Sequence, residues 1–337
     1  MPISRNLTSS LKGLAIMSVI LGHFSHAHLP RDAVEFLGNH FVSFFFVLSG
    51  LGLFYSLDRM DKTKTALARY YYKRFVRIYP LYWLFYLSNL FLLEEGHFRI
   101  VDFLLLHYSK PTSVWFLHAL IPCYVFSPIL YWIAKKKNLF FHVAIVAFFI
   151  CANFVLPELG VPSGRCWTYR SIYFGNFILF YAGMLFARFP VSITETTSSK
   201  IAAVLFVLML FVFIETSGMS LLGMNTDHLV FSVLIYAASL AFVFFFIHGR
   251  DLPRAFSFLG LIGIYTFGLY LFEGAYNIVL TKTGVISGRN WVNLGVWLAI
   301  FPVFFLGTGF LEEMFANKLH VMKSVRSLKA KVVNSFR

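Results

Sequence analysis

The sequence predicts an all-α integral membrane protein of about ten transmembrane helices, with both termini in the cytoplasm. Three observations predict it. Hydrophobic residues make up 58% of the 337 and charged residues only 13%, about half the charged share that covers a soluble globule. Apolar runs of about 20 residues, the length that spans a bilayer as a helix, recur about ten times. Finally, 22 of the 29 Lys and Arg residues fall in alternate segments or in the run ends that border them, counting from the N-terminus. That is the bias of cytoplasmic loops.

The formal net charge of +14 does not point to nucleic acid, because the basic residues sit between apolar runs instead of forming a patch on a polar surface. The bilayer is the expected partner. Cys123, Cys151 and Cys166 have no metal-ligand spacing and form no even disulfide framework. No metal site is expected, and no permanently bound cofactor. The first apolar run ends in Phe24-Ser25-His26-Ala27-His28 without a small-residue cleavage site, so it is expected to stay in the mature protein.

The runs cover 9–29, 36–57, 78–93, 114–133, 139–156, 172–189, 201–216, 229–248, 257–280 and 291–311. The first holds Lys12 and His23, eleven residues apart, which places them on one helix face about 16 Å apart along the axis. His23 reads as a core histidine hydrogen-bonded across helices, with Lys12 snorkelling to the surface, or as a general base fed from the cytoplasmic side. His26, His28 and His40 follow without a thiol or carboxylate cluster. In the second run Ser49, Gly50 and Gly52 are small enough for close helix approach.

Arg69-Tyr70-Tyr71-Tyr72-Lys73-Arg74-Phe75-Val76-Arg77 leads into the third run. Arg74 and Arg77 share a face, and arginine forks suit phosphate oxygens; nearby tyrosines could stack on an adenine. Anionic lipid headgroups would suit the same residues. Trp115 opens the fourth run as an interfacial anchor. Glu273 stands alone in the ninth and needs a partner: a histidine, an arginine or a substrate hydroxyl. Residues 1–316 read as one transmembrane unit. Residues 317–337 read as a basic cytoplasmic tail. Leu319, Met322, Val325, Leu328 and Val332 recur there at helical spacing, as in an amphipathic helix on anionic lipid; a frayed basic tail is the alternative.

The order of these motifs resembles the acyltransferase-3 family of integral membrane O-acyltransferases. Leu11-Lys12-Gly13 through Gly22-His23-Phe24 is similar to that family's opening helix. Phe45-Phe46-Val47-Leu48-Ser49-Gly50, Arg74-Phe75-Val76-Arg77-Ile78-Tyr79-Pro80, Trp115-Phe116-Leu117, Gly183-Met184 and Tyr265-Thr266-Phe267-Gly268-Leu269-Tyr270-Leu271-Phe272 resemble later signatures. The chain departs from the pattern in having Lys12 where arginine is common, Ser9 and Ser43 where acidic residues are common, and Glu273 where histidine is common.

The resemblance implies an acyltransferase that takes an acyl group, acetyl first among candidates, from cytoplasmic acyl-CoA to a hydroxyl of a surface glycan or lipid-linked sugar. It implies His23 as the catalytic base or, second, as the carrier of a covalent acyl group. Glu273 would assist it, and Lys12, Arg74 and Arg77 would hold the donor's phosphates. The implied location is the inner cell membrane, crossed many times. The alternatives are a multi-pass transporter of protons or a small solute, and a non-catalytic scaffold.

Overall fold

A computed structural model describes residues 5–28, 35–92, 98–105, 115–136, 138, 140–148, 176–189 and 257–335. Among them there is helix and no strand: α1 (Arg5–His28), α2 (Glu35–Asp58), α3 (Lys64–Leu92), α4 (Ile100–Phe103), α5 (Trp115–Ala134), α6 (Asn176–Arg188), α7 (Ser257–Ile264), α8 (Thr266–Lys282) and α9 (Val292–Ser335). Residues 140–148 are also helical. The expected spans 201–216 and 229–248 lie outside the described residues, as do Cys151 and Cys166.

By length and composition, Phe116–Ala134 and Val292–Phe315 can each cross a membrane, and the bent pair α7–α8 would make a third span. The apolar surface fits a lipid solvent. Val303, Leu306 and Phe310 on α9 are each about 70% exposed, and Ile129 and Trp132 on α5 are also exposed. In water such a face would be a large exposed patch. Helix α1 differs: Leu11, Ala15, Ile16, Val19, Ile20 and Phe24 are all buried. It sits at the centre, packed against α2, α7 and α8, while α2 also packs on α5 and α6.

Glycines set the two tightest crossings. A methyl group on Gly13 would lie 1.9 Å from the carbonyl oxygen of Leu259, and one on Gly263 would lie 1.7 Å from that of Ser9. On the other side of the core, one on Gly50 would lie 1.9 Å from the Phe180 oxygen, and one on Gly183 would lie 2.1 Å from the Val47 oxygen. Each crossing therefore seats backbone against backbone, the close approach that small residues permit in membranes. Gly52 does not share this role: no atom lies within 4 Å of the place its Cβ would take.

The run 257–280, read from its hydropathy as one span, is two helices meeting at 83°. Tyr265 at the joint leaves the helical region (φ −105°, ψ 25°). Two carboxylates of α9 hold the break. Glu312 Oε2 accepts the Gly268 N–H at 3.1 Å, satisfying an orphan donor in the first turn of α8. The Tyr265 hydroxyl donates to Glu313. Helix α9 runs without a break from Val292 to Ser335, so the backbone of the basic tail continues the last apolar helix. Helix α1 extends to His28, placing the backbone of His26 and His28 on the helix and not in a loop.

Candidate active site

The site is built on five helices, α1, α2, α3, α5 and α8. Lys12 of α1, Arg74 and Arg77 of α3, and Thr266, Phe267 and Tyr270 of α8 line one cavity of about 250 Å³. All three cations named from the sequence line this cavity, and Arg74 and Arg77, three residues apart, reach it from the same helix. Ser49 and Gly52 line the same cavity, so only Gly50 of that small-residue group serves helix packing.

Arg74 is held by its surroundings. Its guanidinium lies 5.4 Å from the ring centroid of Tyr70 and 5.6 Å from that of Tyr124 on α5, within cation–π range. A hydrogen-bond chain fixes Tyr70: its hydroxyl donates to Ser127 Oγ at 2.5 Å, and Ser127 donates to the Tyr124 carbonyl oxygen at 2.7 Å. Burial pushes the Tyr70 hydroxyl up to about 12, so it stays a donor at physiological pH. Tyr71 donates to the Val125 carbonyl at 2.9 Å. The tyrosines before the arginines thus fasten α3 to α5, with the hydroxyls of Tyr70 and Tyr71 both engaged by α5.

Arg74 Nε is buried and has no hydrogen-bond partner. Arg77 and Arg74 both act electrostatically on Lys12. The carboxylate that faces this cationic cluster is Glu312, which feels the Arg77 charge. The first turn of α8, at the positive end of its helix dipole, adds to the same field.

At the other end, His23 Nδ1 bonds Glu273 Oε1, joining α1 to α8 across 250 residues of sequence. The Glu273 side chain is 4% exposed and that of His23 is 38% exposed. With Nδ1 engaged by a carboxylate, Nε2 is the nitrogen that would exchange a proton with a substrate, and the carboxylate would stabilise an imidazolium. Histidine is the partner that the structure shows for Glu273 Oε1.

The two ends are ordered along the bundle. Lys12, Arg77 and Thr266 share the cavity. Farther along each helix, His23 meets Glu273, and Phe85 of α3 meets Phe272 of α8 with ring centroids 5.8 Å apart. Helices α1, α3 and α8 therefore run in one direction from the cations toward the imidazole. The cavity reaches Val19, one turn or about 6 Å before His23. Neither His23 nor Glu273 lines it. Phe116 and Tyr270, whose rings meet at 5.1 Å, stand on the cavity wall, with Tyr270 one turn before Glu273.

Sequence reasoning missed Tyr70, Tyr124 and Ser127 as the clamp on Arg74, and Glu312 and Glu313 as the anchors of the broken helix. The adjacent carboxylates ending the last apolar run were the available signal for the second group. Nothing in the spacing of Tyr124 and Ser127 marks the first. The side chains of His26, His40, Ser43 and Trp115 lie outside the described residues. Among the described residues no group of three or more His, Cys, Asp or Glu is placed to hold a metal. Cys123 is a buried free thiol.

A family model described as an acyltransferase domain matches residues 9–313. No curated protein and no solved structure matches the chain.

Proposed function

The chain belongs to the acyltransferase-3 family, and from that premise we propose that it is a multi-pass O-acyltransferase of the inner cell membrane. It carries an acyl group, acetyl first among candidates on family grounds, from cytoplasmic acyl-CoA to a hydroxyl of a surface glycan or lipid-linked sugar. The observation that supports this reading is the cavity that gathers Lys12, Arg74 and Arg77 and extends along α1 to within a turn of His23.

In this reading the phosphates of the donor rest on Arg74 and Arg77, whose forks match phosphate oxygens, with Lys12 as a third charge. The tyrosine clamp holds Arg74 in place before the donor arrives, which lowers the ordering cost of binding. A cavity of about 250 Å³ lies just below the usual pocket range for a whole small ligand. It takes the arm of the donor and leaves the nucleotide at the rim. The thioester passes the Phe116–Tyr270 pair to reach His23.

The acceptor hydroxyl then gives its proton to His23 Nε2 as its oxygen attacks the thioester carbonyl. The C–S bond breaks, and the proton passes from the imidazolium to the departing thiolate. An oxygen ester and free CoA thiol result. Glu273 holds the imidazole in position and stabilises its charged form.

The test is His23→Ala in the full chain. Transfer from labelled acetyl-CoA, and alkali-labile acyl groups on envelope carbohydrate, should fall by roughly a hundredfold or more. CoA binding in nanodiscs should stay within about twofold. Transfer at the normal rate in that variant would sink the mechanism. The 83° break between α7 and α8 favours a second reading, since transporters use discontinuous helices at their binding sites. Solute flux across proteoliposomes without acyl-CoA consumption would support that reading instead.

A further inference from the structure

Three acceptor oxygens are buried without a hydrogen-bond partner on two of the site's helices: Glu273 Oε2, Asn277 Oδ1 and Asn89 Oδ1. Their placement is not scattered. Asn277 follows Glu273 by four residues and so shares its face of α8. Asn89 follows Phe85 by four on α3, on the face whose Phe85 ring meets Phe272 of α8. Because α1, α3 and α8 run in one direction, both asparagines stand about one turn, roughly 6 Å, beyond the His23–Glu273 pair. That is the side away from the cationic cavity.

Buried polar atoms are normally paired, and an unpaired one is costly in an apolar interior. A carboxylate oxygen and two amide oxygens at neighbouring levels lack the same thing, a donor. The Glu273 side chain, at 4% exposed, has little access to bulk water. A monohydroxyl lipid alcohol has one O–H, which the reaction itself uses at His23. A ligand with several adjacent hydroxyls has one to react and others to donate.

We propose that Asn89 and Asn277, with the second oxygen of Glu273, form the acceptor seat and read the hydroxyls next to the one that is acylated. This rests on the acyl-transfer reading above. It makes the two asparagines specificity-determining residues and gives each end of the core its own role. Cations serve the donor at one end, acceptor oxygens serve a polyol at the other, and His23 stands between them.

The test uses Asn89→Leu and Asn277→Leu in the full chain, singly and together. Leucine removes an unsatisfied polar atom, so a purely structural role predicts unchanged or higher thermal stability and unchanged output. The seat predicts that ester-bound acyl groups on envelope carbohydrate fall about tenfold for each change, while CoA binding in nanodiscs and thermal stability hold. Asn277→Gln, which returns an amide oxygen, should recover part of the loss. Wild-type acylation in the double variant overturns the seat, and water is then the donor those oxygens use. Carbohydrate free of ester-bound acyl groups in wild-type cells overturns the acyl-transfer reading, and the seat with it. Loss of CoA binding or stability in parallel with acylation overturns the seat in favour of a packing role.

Discussion

The cationic end and the imidazole end of the same three helices solve opposite problems. At the first, Lys12, Arg74 and Arg77 converge on an open cavity, where two tyrosine rings flank Arg74 and the Glu312 carboxylate attracts Arg77. At the second, a buried carboxylate and a half-buried imidazole are paired directly. The first keeps its charges available for a ligand. The second spends its charge internally to fix one ring nitrogen. On the proposed reading, binding and chemistry can therefore be damaged separately, although little more than a turn of α1 separates the end of the cavity from His23.

The sharpest way to break this comparison is Arg74→Leu combined with Arg77→Leu. Two charge-assisted contacts at about 1.5–3 kcal/mol each predict a rise in donor KM of roughly a hundredfold or more, with kcat changed only a few-fold. A fall in kcat at unchanged KM would show that the two ends are not separate. Glu273→Gln should give the converse. It keeps the side chain's shape and removes its charge; carboxylate partners that orient a histidine are worth about 10–100-fold at metal sites, and a loss of about that size is expected here. The loss should appear in kcat, with donor KM unmoved in steady-state kinetics. The smallest effect is expected from Tyr70→Phe, which cuts the hydrogen-bond chain to Ser127 and costs about 1 kcal/mol of stability. It should raise donor KM by a few-fold by loosening Arg74. Adding Tyr70→Phe to the arginine double variant should do nothing further to KM.

The cationic end was legible in the sequence because its logic is local. Arg74 and Arg77 lie within one turn, and Lys12 announces itself as a charge in an apolar run. The imidazole end was legible only in its members. His23 and Glu273 are 250 residues apart, and a lone carboxylate in an apolar helix does not say which cation or hydroxyl it meets. The break at Tyr265 was illegible for another reason. Hydropathy reports what a segment dissolves in, and 257–280 is apolar on average whether it is straight or bent. The bend is fixed from outside, by Glu312 and Glu313 on α9. Asn89 and Asn277 were passed over because single amides in apolar runs carry weak signals. The four-residue interval from Glu273 to Asn277 was the clue.

The glycine notch between α1 and α7 has a consequence for how this sequence can change. Gly13 fixes where α1 sits along its neighbour, and His23 stands ten residues farther on. That interval works as a ruler with an angular scale. Inserting or deleting one residue within it would swing the imidazole by about 100° around the helix while the notch stayed locked. Point substitutions along the interval can be absorbed by repacking, whereas any change in its length would turn the ring away from its carboxylate.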